Sequence, residues 1–232
     1  LHTRITQVPE LVEAAKKNNR SLHDVRHPSR EFDVGNGLNR LGKRLLTVGT
    51  DVSVGKMFTA LAIEQEMKKR GLDADFRATG QTGIFIAGSG VSIDAVVADF
   101  ISGAVEWLCP ENSENHWDIV EGQGSLFNVS YAGVTLGLIH GSQPDALVVC
   151  HEAGRPHMRS MPHFQLIDLP KCIDVNLQAA RLTNPDVRCV GAAINTFRLS
   201  EEEGRVFCDK IYQEIGLPAV YPLRHGVAYP LD

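Results

Sequence analysis

Three short stretches of this chain place glycines, a lysine and carboxylates where they could do chemistry on a phosphorylated or charged small molecule. The first is Val48-Gly-Thr-Asp-Val-Ser-Val-Gly-Lys-Met57. A glycine-bearing turn that runs into Gly-Lys and a helix offers backbone N–H groups, the positive helix end and an ammonium to phosphate oxygens. Gly49, Thr50, Asp51, Ser53, Val54, Gly55, Lys56 and Met57 are therefore expected to hold a phosphate. In a nucleotide triphosphate site the residue after the lysine supplies a hydroxyl to Mg²⁺. Here it is Met57, and a thioether is a poor partner for a hard cation. Thr59 lies about 200° further round the helix and cannot replace it. Asp51 or Glu121 could hold Mg²⁺ through waters, so two readings stay open: a Mg-ATP site, or a cradle for a phosphate that never reacts.

The second stretch, Trp117-Asp-Ile-Val-Glu-Gly-Gln-Gly-Ser125, ends a strand in Glu121 beside two glycines. A carboxylate there suits a metal ligand or a base; the plainer alternative is a helix cap or a surface ion pair. The third, Ala78-Thr-Gly-Gln-Thr-Gly-Ile84, is a glycine-rich strand end whose amide and hydroxyl, Gln81 and Thr82, suit substrate or pantetheine-type amide contacts, with a plain turn as the equal alternative. Asp94 opens the segment 92–108, either as a helix cap or facing the site, and is the better placed of Asp94 and Asp99 for catalysis. His140 and His151 fall at element ends where a base working near neutral pH belongs, although a lone histidine is more often structural. Arg155 and Arg159 offer a fork for a substrate carboxylate. Asn195, at a strand end, offers an amide to a base edge or a peptide-like group. His151, His157 and His163, six residues apart with prolines between, do not have the spacing of a metal site.

These residues need a scaffold, and the apolar pattern supplies one. Strand-like runs at 45–49, 74–79, 118–120, 146–150, 189–194 and 219–221 alternate with helix-like segments at 56–70, 92–108, 131–140, 163–181 and 200–215. That rhythm predicts an α/β protein with a mainly parallel sheet, helices on both faces and binding residues at the carboxyl edge. Residues 8–19 predict a short amphipathic helix, and 1–40 an arm or linker before a domain at 41–232.

With 232 residues and net charge −5, the chain has no basic excess to attract nucleic acid or anionic lipid. It also lacks an apolar run long enough for a membrane span. Its five cysteines, widely spaced in apolar runs, read as reduced core residues of a cytoplasmic protein. The start at Leu1 suggests a piece of something longer.

At a distance the chain resembles dethiobiotin synthetase and its relatives, through Gly49-Thr-Asp-x-x-Val-Gly-Lys56, Val120-Glu-Gly122 and the strand ending in Asn195. That likeness implies a three-layer P-loop fold and Mg-ATP chemistry, from which Met57 departs. More closely, Val48–Met57, Thr79-Gly-Gln-Thr-Gly83, Val120-Glu-Gly-Gln-Gly-Ser125 and Leu138-Ile-His-Gly-Ser-Gln-Pro-Asp145 resemble a family long known as a domain of unknown function, which includes D-glutamate N-acetyltransferases. This resemblance implies a Rossmann-like domain ahead of the P-loop domain, with residues 1–40 its end. It implies acetyl-CoA as co-substrate, its phosphates held on the loop as an unreacting handle, with Asn195 among the CoA contacts. His140 or Glu121, with Asp94, would serve catalysis, Gly122–Gly124 N–H groups would meet the oxyanion, and Gln81, Thr82, Gln123, Ser125 and Arg155 would hold an acidic amino acid. A homo-oligomer and no protein-bound metal are expected.

Overall fold

The computed structural model describes residues 3–28 and 30–228. A 3₁₀ turn, Ile5–Gln7, and helix α1, Pro9–Lys17, come first. The chain then runs without regular structure to β1, Lys43–Gly49, followed by α2 at Lys56–Lys69, β2 at Ala74–Arg77 and α3 at Gln81–Ala87. Next come α4 (Ile101–Leu108), β3 (Trp117–Val120), α5 (Ala132–Ser142) and β4 (Ala146–Glu152). A hairpin of β5 (His157–Met158) and β6 (Met161–Gln165) precedes α6 (Leu169–Ala180), β7 (Arg188–Asn195), α7 (Glu201–Ile215), β8 (Ala219–Val220) and α8 (Pro222–His225).

Six strands form one parallel sheet in the order β2-β3-β1-β4-β7-β8. Successive strand side chains point to opposite faces, and the core divides accordingly. Leu46, Val48, Val120, Leu147, Val149 and Ile194 pack under α4, α5, α6 and α7, while Leu45, Ile119, Val148, Cys150 and Ala193 pack under α2. The expected α/β, three-layer architecture with helices on both faces is thus the observed one. No helix among the described residues is long and apolar enough to cross a membrane.

Four segment expectations need correction. Residues 81–87 are helix α3 where a turn is expected, and β2 stops at Arg77. The segment 92–108 is broken: Asp94 sits in a 3₁₀ turn, Ile93–Ala95, and Val96 and Val97 are extended before α4 begins. Two adjacent β-branched residues favour that break. Within 163–181, β6 takes the beginning, and Asp168, whose side chain accepts the Lys171 N–H, caps α6 with Pro170 in its first turn. The helix opening after Ser200 is as expected, with a full capping box to Glu203.

Several contacts fasten the first forty residues to the rest, and two of them lie in the arm before Arg40. Arg26 pairs with Asp94 at 2.6 Å, and Glu106 accepts the N–H groups of Asn36 and Gly37.

Candidate functional site

Strands β1 and β3 lie side by side, so their carboxyl ends bring the Gly49–Lys56 loop and the Glu121 loop together. Gly55, with φ of 108°, turns the chain into α2 in a conformation that side chains resist. Lys56 is buried at the helix start, and its ammonium donates to the carbonyl of Asp51 at 2.8 Å. Burial pulls its pKa down to about 8. The Thr47 hydroxyl joins three pieces, donating to the Lys56 carbonyl and accepting the Gly122 N–H.

Glu121 is 3% exposed. One oxygen accepts the N–H groups of Thr79 and Gly80 at 2.9 and 3.2 Å, and the other accepts the Gln123 amide at 3.0 Å. Burial lifts its pKa to about 7; these hydrogen bonds and the charge of Lys56 restrain the rise. Gly83, in the first turn of α3, lies so close that a Cβ there would strike the carboxylate. The second and third sequence stretches therefore form one device: a helix start and its preceding backbone holding a carboxylate.

Between the loops lies a cavity of about 810 Å³ lined by Gly55, Lys56, Met57, Gln81, Asp94, Glu121, Gln123 and Asn195, among others. A smaller recess of about 260 Å³, lined by Thr82 as well as Met57, Gln81, Asp94, Glu121 and Gln123, opens beside it. Ser53 lines the main cavity, while Gly49 and Val54 are packed behind it. Such clefts, mixed in polarity and few per protein, are where ligands bind. It combines a phosphate cradle, a carboxylate poised near neutrality and an open strand edge, which suits transfer chemistry on a ligand held by its phosphates.

Several predicted site residues do other work. Asp51 is fully buried, and its carboxylate accepts the Asn128 amide, the Arg155 guanidinium and the Arg159 N–H at 2.9, 2.9 and 2.6 Å. Burial alone would raise its pKa, but these bonds and one from the Val52 N–H hold it below the usual carboxylate range. It braces the loop. Arg155 is spent on Asp51, Glu152 and the carbonyls of Val52 and Ser53, so it is a clasp and not a free fork for a substrate. Ser125 donates to the Gly49 carbonyl, and Thr50 is hydrogen-bonded to His151. Burial, then the charge of Arg155, pushes the His151 pKa down to about 4, so His151 is a neutral support.

His140 is not brought to the cavity. Helix α5 begins at the cavity wall, where Val134 lines it, and six residues add roughly 9 Å along the axis. His140 therefore sits towards the amino edge, its Nε2 buried without a hydrogen bond among the described residues. The Gly122 N–H, given to Thr47, is likewise withdrawn from the expected oxyanion donors.

Sequence reasoning missed Asn128, Thr47 and Arg26. Asn128 meets Asp51 across 77 residues, and no local spacing announces that meeting. Thr47 reads as one more strand residue, and Arg26 lies in an arm without pattern.

The chain is 56% identical over 227 residues to a protein from Pseudoalteromonas sp named D-glutamate N-acetyltransferase, covering 98% of this chain and 68% of the relative. A protein of the same name from Tritonibacter scottomollicae is 50% identical, covering 100% of this chain and 70% of the relative. A crystal structure of a DUF1611 family protein from Anabaena variabilis ATCC 29413 superposes with a TM-score of 0.90 at 37% identity, over 97% of this chain and 67% of that one. A nucleotide-binding protein from Archaeoglobus fulgidus in complex with ADP shares the fold alone, at TM-score 0.51 and 11% identity, over 78% of this chain and 80% of that one. Residues 33–230 match the family described as "Domain of unknown function (DUF1611_C) P-loop domain", and the chain belongs to that family.

Proposed function

We propose that this protein is an N-acetyltransferase that moves the acetyl group of acetyl-CoA onto the amine of D-glutamate, with the Gly49–Lys56 loop holding CoA phosphates. The observation that carries this reading is Glu121: a buried carboxylate with a pKa near 7, facing both the phosphate-loop cavity and the smaller recess. A base tuned to the working pH is what amine acylation needs. The names of the two relatives supply the acceptor, and Met57, lining the cavity where a Mg²⁺ hydroxyl would stand, supports phosphates that anchor and do not react.

In this reading the acceptor amine lies in the recess with Gln81, Thr82 and Asp94, and Glu121 takes its proton. The nitrogen attacks the thioester carbonyl, a C–N bond forms, the C–S bond breaks, and the thiolate leaves as CoA after taking a proton. Backbone N–H groups of Gln123 and Gly124 face the developing oxyanion. Asn195, on the cavity wall, contacts the CoA portion.

The test is thiol release by the full-length protein given acetyl-CoA and D-glutamate, with L-glutamate and with ATP plus Mg²⁺ as parallel arms. Release with D-glutamate supports the reading. No release, together with a melting temperature raised by Mg-ATP and not by CoA, overturns it in favour of a ligase or kinase. Met57→Thr sharpens the same test: it is expected to leave CoA binding within about twofold and to add Mg²⁺ dependence to any nucleotide binding.

A further inference from the structure

The cavity wall carries three cations, Arg26, Lys56 and Arg159, and their circumstances differ. Arg26 is paired with Asp94 at 2.6 Å. Lys56 is buried in the loop, donating to the Asp51 carbonyl. Arg159 stands at the tip of the β5–β6 hairpin, exposed, and its guanidinium has no hydrogen bond or ion pair among the described residues.

Its backbone is the reverse of free. The Arg159 N–H is held at 2.6 Å by the buried Asp51 carboxylate, which belongs to the phosphate loop itself. Ser160 follows with φ of 62°, closing the tip between Met158 and Met161. The hairpin is thus pinned to the back of the loop while its arginine stays uncommitted at the cavity. A second arginine four residues earlier, Arg155, is consumed by the same carboxylate and by loop carbonyls. A pyrophosphate carries more charge than one lysine offsets, and burial has already weakened the hold of Lys56 on its proton. A planar guanidinium with five donors matches two phosphate oxygens at once.

We propose that Arg159 is the second cation of the phosphate site, closing over a pyrophosphate on the Gly49–Lys56 loop from the hairpin side, opposite Lys56. This rests on the phosphate-handle part of the functional reading and is independent of the acetyl transfer. The same guanidinium could instead meet a carboxylate of the acceptor, and the experiment separates the two anions.

Arg159→Gln and Arg159→Lys are compared with the native full-length protein by calorimetric binding of CoA and of inorganic pyrophosphate, and by KM for acetyl-CoA and for D-glutamate. Arg159→Gln is expected to weaken both binding constants roughly 10- to 100-fold and raise the KM for acetyl-CoA to match, as loss of a charge-assisted hydrogen-bonding partner would. The KM for D-glutamate stays within about twofold, and Arg159→Lys recovers part of the loss. A rise confined to the KM for D-glutamate, unchanged pyrophosphate binding in Arg159→Gln, or no binding of either phosphate ligand to the native protein overturns the proposal. If the native protein shows no acetyl transfer but Arg159→Gln still weakens pyrophosphate binding, the functional reading falls and this assignment stands.

Discussion

On its protein side the phosphate loop spends every strong group on the fold: Asp51 on Asn128, Arg155 and Arg159, Thr50 on His151, and the Gly49 carbonyl on Ser125. On its cavity side the same loop, with Glu121 across from it, carries Lys56, Met57 and a carboxylate near neutrality. A difference of a few positions in one turn separates a brace from a binding surface. The comparison teaches that charge and motif membership do not identify ligand contacts; what a group has already bonded to does. Asp51 and Lys56 belong to one motif, yet the Asp51 carboxylate is held by three partners of the fold, while the Lys56 ammonium gives one hydrogen bond, to the Asp51 carbonyl, and lines the cavity.

The strongest break of that comparison falls on the cavity side. Glu121→Gln is expected to lower turnover about 10²- to 10⁴-fold, the range for losing a general base. In the native protein turnover is expected to rise with pH through about 7, as the carboxylate ionises. Stability moves the other way. The folded pKa is raised, so the contribution of this group is intact below about 4.5 and is lost as pH climbs to about 7. Glu121→Gln should gain melting temperature relative to the native protein over that window. Native-like turnover in the variant would place the base elsewhere.

On the protein side, Asp51→Ala should cost on the order of 3–5 kcal/mol in denaturant unfolding, because it breaks the buried pair with Arg155 and leaves the Asn128 amide and the Arg159 N–H without their acceptor. Lys56→Ala is expected to change stability far less while abolishing phosphate binding. Equal stability losses from the two would end the distinction between the two sides.

The smallest effect is the pH response of binding. With a pKa near 8, Lys56 sheds its charge as pH rises past that value, so CoA affinity measured by calorimetry should be weaker at pH 9 than at pH 7. The folded pKa is lowered, so the unliganded protein gains stability from this group between about 8 and 10.5. Pyrophosphate affinity that is flat across this range would remove Lys56 from the phosphate site.

Much of the fold was legible because it repeats. Short apolar runs between helical segments have one economical arrangement, and the strand-to-helix position of Gly49–Lys56 follows from it. Helix α3 was not legible: Gly80, Thr82 and Gly83 favour a turn locally, and a helix forms because its first turn packs against Glu121. His140 misleads for a related reason. Its spacing marks the end of α5, but only the direction of α5 across the sheet shows that this end points away from the cavity.

The sequence by itself determined the parallel α/β scaffold, the phosphate loop with Met57 in place of a hydroxyl, and Glu121 at a strand end, since each rests on local spacing. The tertiary structure decided which of those groups are available. Asp51 and Arg155, 104 residues apart, neutralise each other, and Arg159 is fastened by its backbone so that its side chain stays open. Glu121 is lifted toward neutrality by burial that no neighbouring residue in the sequence reveals. Bonding and desolvation are set by what surrounds a group in space, and that is assembled only when distant strands meet.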